Sequence, residues 1–593
     1  MKSSKLSPWF CGLMGIAALT LPLSPALTRR AHAFGGLWSA EGGGAKQSAE
    51  RIIFVDPPGP TITAIVQFEY AGPSRKFAWL VPVPGKVSVG ISSSVVLDRL
   101  DVVTAPHFWT AVDVAGSCMR EHVFDLSYDS PSETDTPDDG MPSGPVRVVE
   151  RGSVGPYDFV HIAPDPTTSD PAAAATAWLT AEGYELTSID SQVLGPYLRD
   201  GLGLLAFKLT KDGDIGAIRP VTLTYESKLP VLPMRPTAVS AKDDLDLEVW
   251  VFGPSQAVPE NYKALVLNDA LIDWSSARKF PASTLPAGGG GPFGPLLDKP
   301  RNYDALVTAA ANQAAGQGFV TELAGPASRF RSKVWSALDA ETFAMIRDAS
   351  YDDGIAALYA ADEYYGGWDG WPDAVAGATT LPAGVTLDAF GRDPSRFRGA
   401  ARVDTAKFLR LLEEKVVKPV IDAAALLAST PYLTRLHTTM SAGEMTVDPV
   451  FNYNYGLDQV SNVQVAQQYV QCSPALLRPE DAPWYMNLPQ GGVVVGDGVG
   501  WPLALGALPA NLKVVALSTE GAGQVTQDNS QEIGAKLFAR AGTIGDGTPI
   551  LRRPQQGAVI GGTQRVGRPV EQGATQNAVR HKSAAPSTRR LAP

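Results

Sequence analysis

The segment FAWLVPVPG, Phe77 to Gly85, is apolar enough for a buried strand, yet Pro82 and Pro84 remove two backbone donors from it. In an extended strand the amides of residues 82 and 84 point to the same side, so both donors vanish from one edge. The segment is therefore expected at a sheet edge, or leaving the sheet along a polyproline-like path, and not in a sheet centre. Proline on an apolar edge also blocks strand-to-strand aggregation. The chain as a whole points the same way. Its 58 Gly and 48 Pro, against 19% charged residues in 593, favour strands, turns and loops over long surface helices.

Strand patterns surround this segment. RIIFVD (51–56) and TITAIVQFEY (61–70) flank the turn PPGP, and VRVVERGSVGPYDFVHI, LGLLAFKLT, IRPVTLTYES and LDLEVWVFG follow. SSSVVLDRLDVVTAP (92–106) reads as a short helix capped by Ser93 or Ser94 and stopped by Pro106. Another helix is expected near AAAATAWLTAEG, and residues 125–145 form an acidic Pro/Ser-rich loop. A Gly/Pro linker spans 282–296, and beyond it the period turns helical in NYDALVTAAANQAAGQGF, SKVWSALDAETFAMIRDA and DTAKFLRLLEEKVVKPVIDAAALLAS. In the last of these Asp404 is the cap, and Phe408, Leu411, Leu412 and Val416 form an apolar face to pack on the β-rich part. The expected class is α+β: a β-rich part over 34–281 and a helical or mixed part over 297–542. Residues 543–593 are too polar, Gly/Gln-rich and basic to bury a core and are expected to be a disordered tail.

The first 33 residues have the parts of a cleaved signal peptide: Lys2 and Lys5, an apolar stretch WFCGLMGIAALTLPLSPAL, then Ala31-His32-Ala33. Cleavage is expected between Ala33 and Phe34, releasing a water-soluble exported protein with no later membrane-spanning segment. Cys11 leaves with the signal. Cys118 and Cys472 then have only each other as intramolecular partners in an oxidising compartment, the alternative being two separate buried thiols. A net charge of −11 argues against nucleic acid.

Motifs for chemistry are sparse. His107, His122, His161, His437 and His581 show no ligand spacing, and neither HExxH nor CxxC occurs, so no metal or other cofactor is expected. DTPDDG (135–140) has Pro137 at a calcium-ligand position and Val146 where a bidentate Glu is needed. GLGLLA (201–206) precedes a strand rather than a helix, GDGVGWP lacks the Walker Lys, and no GxSxG occurs. Tyr364, Tyr365, Trp368 and Trp371, beside Asp362, Glu363, Asp369 and Asp373, are the right residue types for a polysaccharide-stacking platform, with Trp368 and Trp371 as the contacts.

Taken together, several strings resemble a bacterial family of exported proteins called domain of unknown function 2330: QSAERIIF (47–54), FAWLVPVP (77–84), VGPYD (154–158), LPMRPTAVSA (232–241), VPENY (258–262), LNDALIDW (267–274), GFVTELAG (318–325), YLTRLHTTMS (432–441) and MTVDPVF (445–451). The likeness covers most of residues 35–475. It implies export, and no catalytic positions to carry over. Relatives carry cysteines near the mature N-terminal glycines, where this chain has Phe34 and Ser39, which leaves Cys118 and Cys472 as the one pair. LPMRPTAVSA is expected to repeat the proline-broken strand with Pro233 and Pro236.

Two functions follow as expectations. The first is a non-enzymatic protein that binds an envelope component or polysaccharide, or builds the envelope. The second is an extracytoplasmic carboxylate hydrolase, its candidates being Asp158, Arg235, Asn268, Asp269, Asp273 and Asp448. Two of these carboxyls facing one pocket, one of them with a raised pKa, favour the hydrolase. Dispersal over separate turns favours the binder.

Overall fold

The computed structural model describes residues 36–38, 46–71, 78–118, 147–165, 168–184, 192–209, 218–282, 299–335, 340–476 and 478–544. Helices and mixed sheets make the protein α+β. The expected signal segment, the acidic loop 125–145 and the tail from 545 onward lie outside the described residues.

A ten-stranded sheet forms the middle. Its order is Gln524–Asp528, Asn511–Ala516, Lys263–Leu267, Gly318–Pro326, Tyr432–Met440, Ala241–Gly253, Lys46–Val55, Thr61–Ala71, Val221–Glu226, Val87–Ile91. Ala241–Gly253 lies antiparallel to Tyr432–Met440 and parallel to Lys46–Val55. Side chains alternate across a strand. Ile52, Phe54, Val249 and Val251 enter one core, while Ile53, Val55, Trp250 and Phe252 enter another. Because both faces are covered, these strands read as continuous apolar runs instead of alternating ones. Strands from either side of the expected linker share this sheet, and residues 283–296 of that linker lie outside the described residues.

The proline-broken strand sits in a five-stranded sheet ordered Gly36–Trp38, Ala78–Val83, Gly203–Leu209, Tyr157–Ala163, Arg147–Val154. It is second from the edge, not outermost as expected. Among the described residues its outer neighbour pairs with Ala78, Trp79 and Leu80. Among the described residues Pro82 pairs on one side alone, with Leu204. The missing donors thus fall beyond the outer pairings of the described residues. Gly36 is required there, since a Cβ would stand 2.0 Å from the Pro236 carbonyl oxygen. That proline corrects a second expectation: Met234–Thr237 is a helical turn, not a strand. Proline fits a first turn, whose amides have no intrahelical acceptor in any case.

A third sheet pairs His107–Ala115 in parallel with Val463–Gln471, Ala115 opposite Gln471. That register delivers Cys118 and Cys472 to one another. They form a disulfide with Cα atoms 5.2 Å apart. Gly116, at φ +81°, turns the chain where a Cβ would lie 2.3 Å from the Cys472 carbonyl oxygen.

Residues 340–427 hold most of a helical layer with its own core. Asp404 caps as expected, its carboxylate accepting from the Lys407 amide at 2.9 Å. The apolar face of that helix meets Phe343, Tyr365 and Val375 rather than the sheets, which corrects the expected partner. Of the segment 332–349, expected as one helix, the parts within Ser328–Trp335 and Ala340–Asp348 are helical, and residues 336–339 lie outside the described residues. At Pro419 the helix widens into a π turn over Glu413–Val417. Proline cannot bond the carbonyl four residues back, which is that of Lys415. Arg219 takes the place of that donor, its Nη2 lying 2.8 Å from the Lys415 oxygen. A helix over Ser530–Ile544, in polar sequence, was not legible from periodicity.

Candidate functional site

Arg435 and His437 stand two residues apart on Tyr432–Met440, so both project from one face. Neither has exposed side-chain surface. Charged groups this deep require partners, and the register supplies them. Glu248 lies opposite His437 on the adjacent strand, and Arg51 opposite Glu248 on the next. On the other side a register shift between Thr321 and Leu323 inserts Glu322. Such a bulge re-aims a side chain without moving the strand. Arg435 donates from Nε to Glu322 at 2.6 Å, from Nη2 to Glu248 at 2.7 Å and from Nη1 to Asp101 at 2.5 Å. Its guanidinium also lies 4.9 Å over the Trp250 ring. His437 contacts Glu322 through Nδ1 at 2.9 Å and Asp246 through Nε2 at 2.7 Å. Tyr303 donates its hydroxyl to Glu322 at 2.8 Å.

Burial alone would lower the His437 pKa. The Glu322 charge and the hydrogen bonds to Asp246 and Glu322 outweigh it and raise the value to about 10. Burial likewise pushes Glu322 up, but the Arg435 and His437 charges hold it well below the carboxylate range. At neutral pH the His437 imidazolium, the Arg435 guanidinium and the Glu322 carboxylate are fixed charges. Both imidazole nitrogens face carboxylates, leaving no free lone pair to accept a proton from a substrate. The guanidinium is similarly engaged on all three of its nitrogens. The network pins the helix Ser94–Thr104, through Asp101 and Thr104, to the sheet.

The six polar candidates do not converge on this network. Arg235 and Asp448 do meet, Nη2 to Oδ2 at 3.0 Å, and Tyr197 donates to the same oxygen at 2.7 Å. Asn261 donates to the Asp448 carbonyl oxygen at 2.6 Å, which ties three of the family-like strings together. Asn268 caps a short 3-10 turn by accepting from the Ala270 amide at 3.2 Å. Asp269 is raised by burial to about 7, tempered by the Gln490 amide 2.8 Å away. Asp273 accepts from the Ser275 amide at 3.2 Å, and Asp158 from the Ser153 hydroxyl. Each carboxylate serves a local turn, an ion pair or, for Asp269, a tertiary bond to the Gln490 amide.

Trp368 and Trp371 are half-buried and set edge-on to Tyr365 and Phe408, at ring distances of 5.0 and 5.8 Å. Asp369 between them reaches across to the helix Ser94–Thr104 and accepts from the Ser94 amide at 2.6 Å. It replaces the expected cap: Ser93 occupies the N-cap position but makes no capping hydrogen bond with its side chain.

On the face that carries Arg435, a cavity of about 410 Å³ opens beside Phe252 and Leu100. Leu427, Phe330 and Val334 line it too, with Arg331 as its charged lining residue. Among the described residues no three His, Cys, Asp or Glu side chains are grouped to hold a metal ion, and no helix is long and apolar enough to cross a membrane.

Fold and site together define an α+β scaffold stiffened by buried ion pairs. The chain belongs to the family described as an uncharacterized protein conserved in bacteria, domain of unknown function 2330, whose pattern matches residues 33–451. No curated protein and no solved structure matches it. Arg435, His437, Glu322 and Asp448 all fall inside the matched span, whereas Cys472 falls beyond it. Sequence reasoning missed the Arg435–His437 network. Its signal was TRLHTT, two cations at strand spacing inside an otherwise uncharged run.

Proposed function

We propose that this is a non-enzymatic exported protein whose work is to bind a component of the bacterial envelope. One observation carries the reading: the cavity is lined by Leu, Phe, Ala and Val side chains and a single Arg. No nucleophile and no group that gives or takes protons near neutral pH lines it, whereas hydrolysis needs both kinds of group within reach of one substrate. Asp269, the candidate raised into the range of a general acid, is buried and accepts from the Gln490 amide. The disulfide and the signal-like first 33 residues support export, because disulfides persist in oxidising compartments.

Two measurements test it. Mass spectrometry of protein taken from envelope fractions is expected to find an N-terminus at Phe34; an unprocessed chain in the cytosol would contradict export. A panel of ester, amide and glycoside substrates is expected to show no turnover. Turnover lost in Asp269→Asn or Asp448→Asn would establish the hydrolase instead.

A further inference from the structure

Three helices, Ser94–Thr104, Ser328–Trp335 and Lys418–Leu427, flank a half-open cavity against Phe252 of the central sheet. A hydrocarbon-lined space of about 410 Å³ falls among small-molecule sites, which span roughly 300–1,000 Å³. Water gains little there, because it needs two or more polar partners to reside in a cavity.

The polar lining is one-sided. Arg331 donates from Nη2 to the Thr430 carbonyl oxygen, but its Nε is buried with no hydrogen-bond partner. The Thr430 hydroxyl oxygen is buried and unpartnered as well. No carboxylate pairs with Arg331 among the described residues, in contrast to the saturated Arg435 on the same face of the sheet. A buried donor without an acceptor is unfavourable, and a guanidinium is shaped to take two oxygens of one anion.

We infer that the cavity accepts one unbranched aliphatic chain ending in an anionic oxygen head group, the chain among Leu100, Phe252, Phe330 and Leu427 and the head on Arg331. Carboxylate and phosphate monoester heads share this chemistry. The inference rests on the binding function proposed above, since nothing lining the cavity would cleave such a molecule.

The test is titration calorimetry on the full chain after removal of co-purified lipid. The probes are the C8 to C14 alkanoates, dodecanol and dodecyl phosphate. Affinity is expected to rise about fourfold per methylene, the gain for burying one, and then to level off when the cavity is full. Laurate is expected to bind about tenfold more tightly than dodecanol, and Arg331→Gln to bring laurate down to the dodecanol level. Ala424→Phe, which fills the cavity from one wall, should weaken every probe; matched circular dichroism spectra establish that both variants fold. Tighter binding of dodecyl phosphate than of laurate would assign a phosphate-headed lipid; the reverse order would assign a fatty acid. Absence of chain-length dependence, or equal affinity for laurate and dodecanol, would overturn the inference while leaving the non-enzymatic reading intact. Hydrolysis of a lauroyl ester would overturn the function beneath it.

Discussion

Buried charge on His437 makes stability fall as the medium turns alkaline. The folded protein holds the His437 proton with a pKa of about 10, against 6.5 for the unperturbed side chain. Between those values the native state binds more protons than the unfolded chain, so the slope of stability with pH is negative. The contribution is complete below pH 6.5 and is lost as the pH rises through 10. At about 1.4 kcal/mol per tenfold difference in proton affinity, the separation corresponds to roughly 5 kcal/mol. The same ion pair holds Glu322 down, so this energy is counted once for the two residues. The assay is guanidinium unfolding, followed by tryptophan fluorescence at intervals from pH 6 to pH 10, on wild type and His437→Gln. Wild type is expected to lose its advantage over the variant across that window. Parallel stability curves would refute the charged imidazole, and with it the account of the network.

Glu50 gives a slope of the same sign from a different cause, burial without a charged partner. Burial raises it to about 8, with only the Gln47 amide opposing. Ionising it therefore destabilises the fold as the pH rises from 4.5 through 8, and Glu50→Gln should match wild type at pH 4 and exceed it in unfolding midpoint at pH 9. Reducing the Cys118–Cys472 bridge frees a loop of 354 residues and, by chain entropy, should lower stability by on the order of 5 kcal/mol in denaturant titration. Asp369→Ala removes the hydrogen bond to the Ser94 amide and should cost about 1 kcal/mol, read as a lowered Tm, while Asp369→Asn retains most of it.

What could be read in the sequence was whatever neighbouring residues decide. The runs RIIFV and VWVFG marked strands buried on both faces, because β-branched and aromatic side chains leave no polar face to solvate. Asp404 was recognisable as a cap because its partner lies three residues on. Ser93 failed as a cap for the converse reason: the competing carboxylate, Asp369, lies 275 residues from the Ser94 amide it accepts from. Pro82 announced an interrupted ladder, but its place second from the edge depended on Gly36–Trp38 pairing outside it.

By itself, then, the sequence determined the α+β class, the strand-rich character and the family strings, because periodicity and turn chemistry act over a few residues. Tertiary structure alone decided which charges meet. Arg435 finds Asp101 at a separation of 334 residues and Glu248 at 187, through sheet register and a single bulge at Glu322. It also decided that Arg435 is saturated while the Arg331 Nε is left without a partner beside an apolar hollow. Desolvation makes both outcomes matter. A cation exposed to water needs no partner, and only the fold determines which cations leave it.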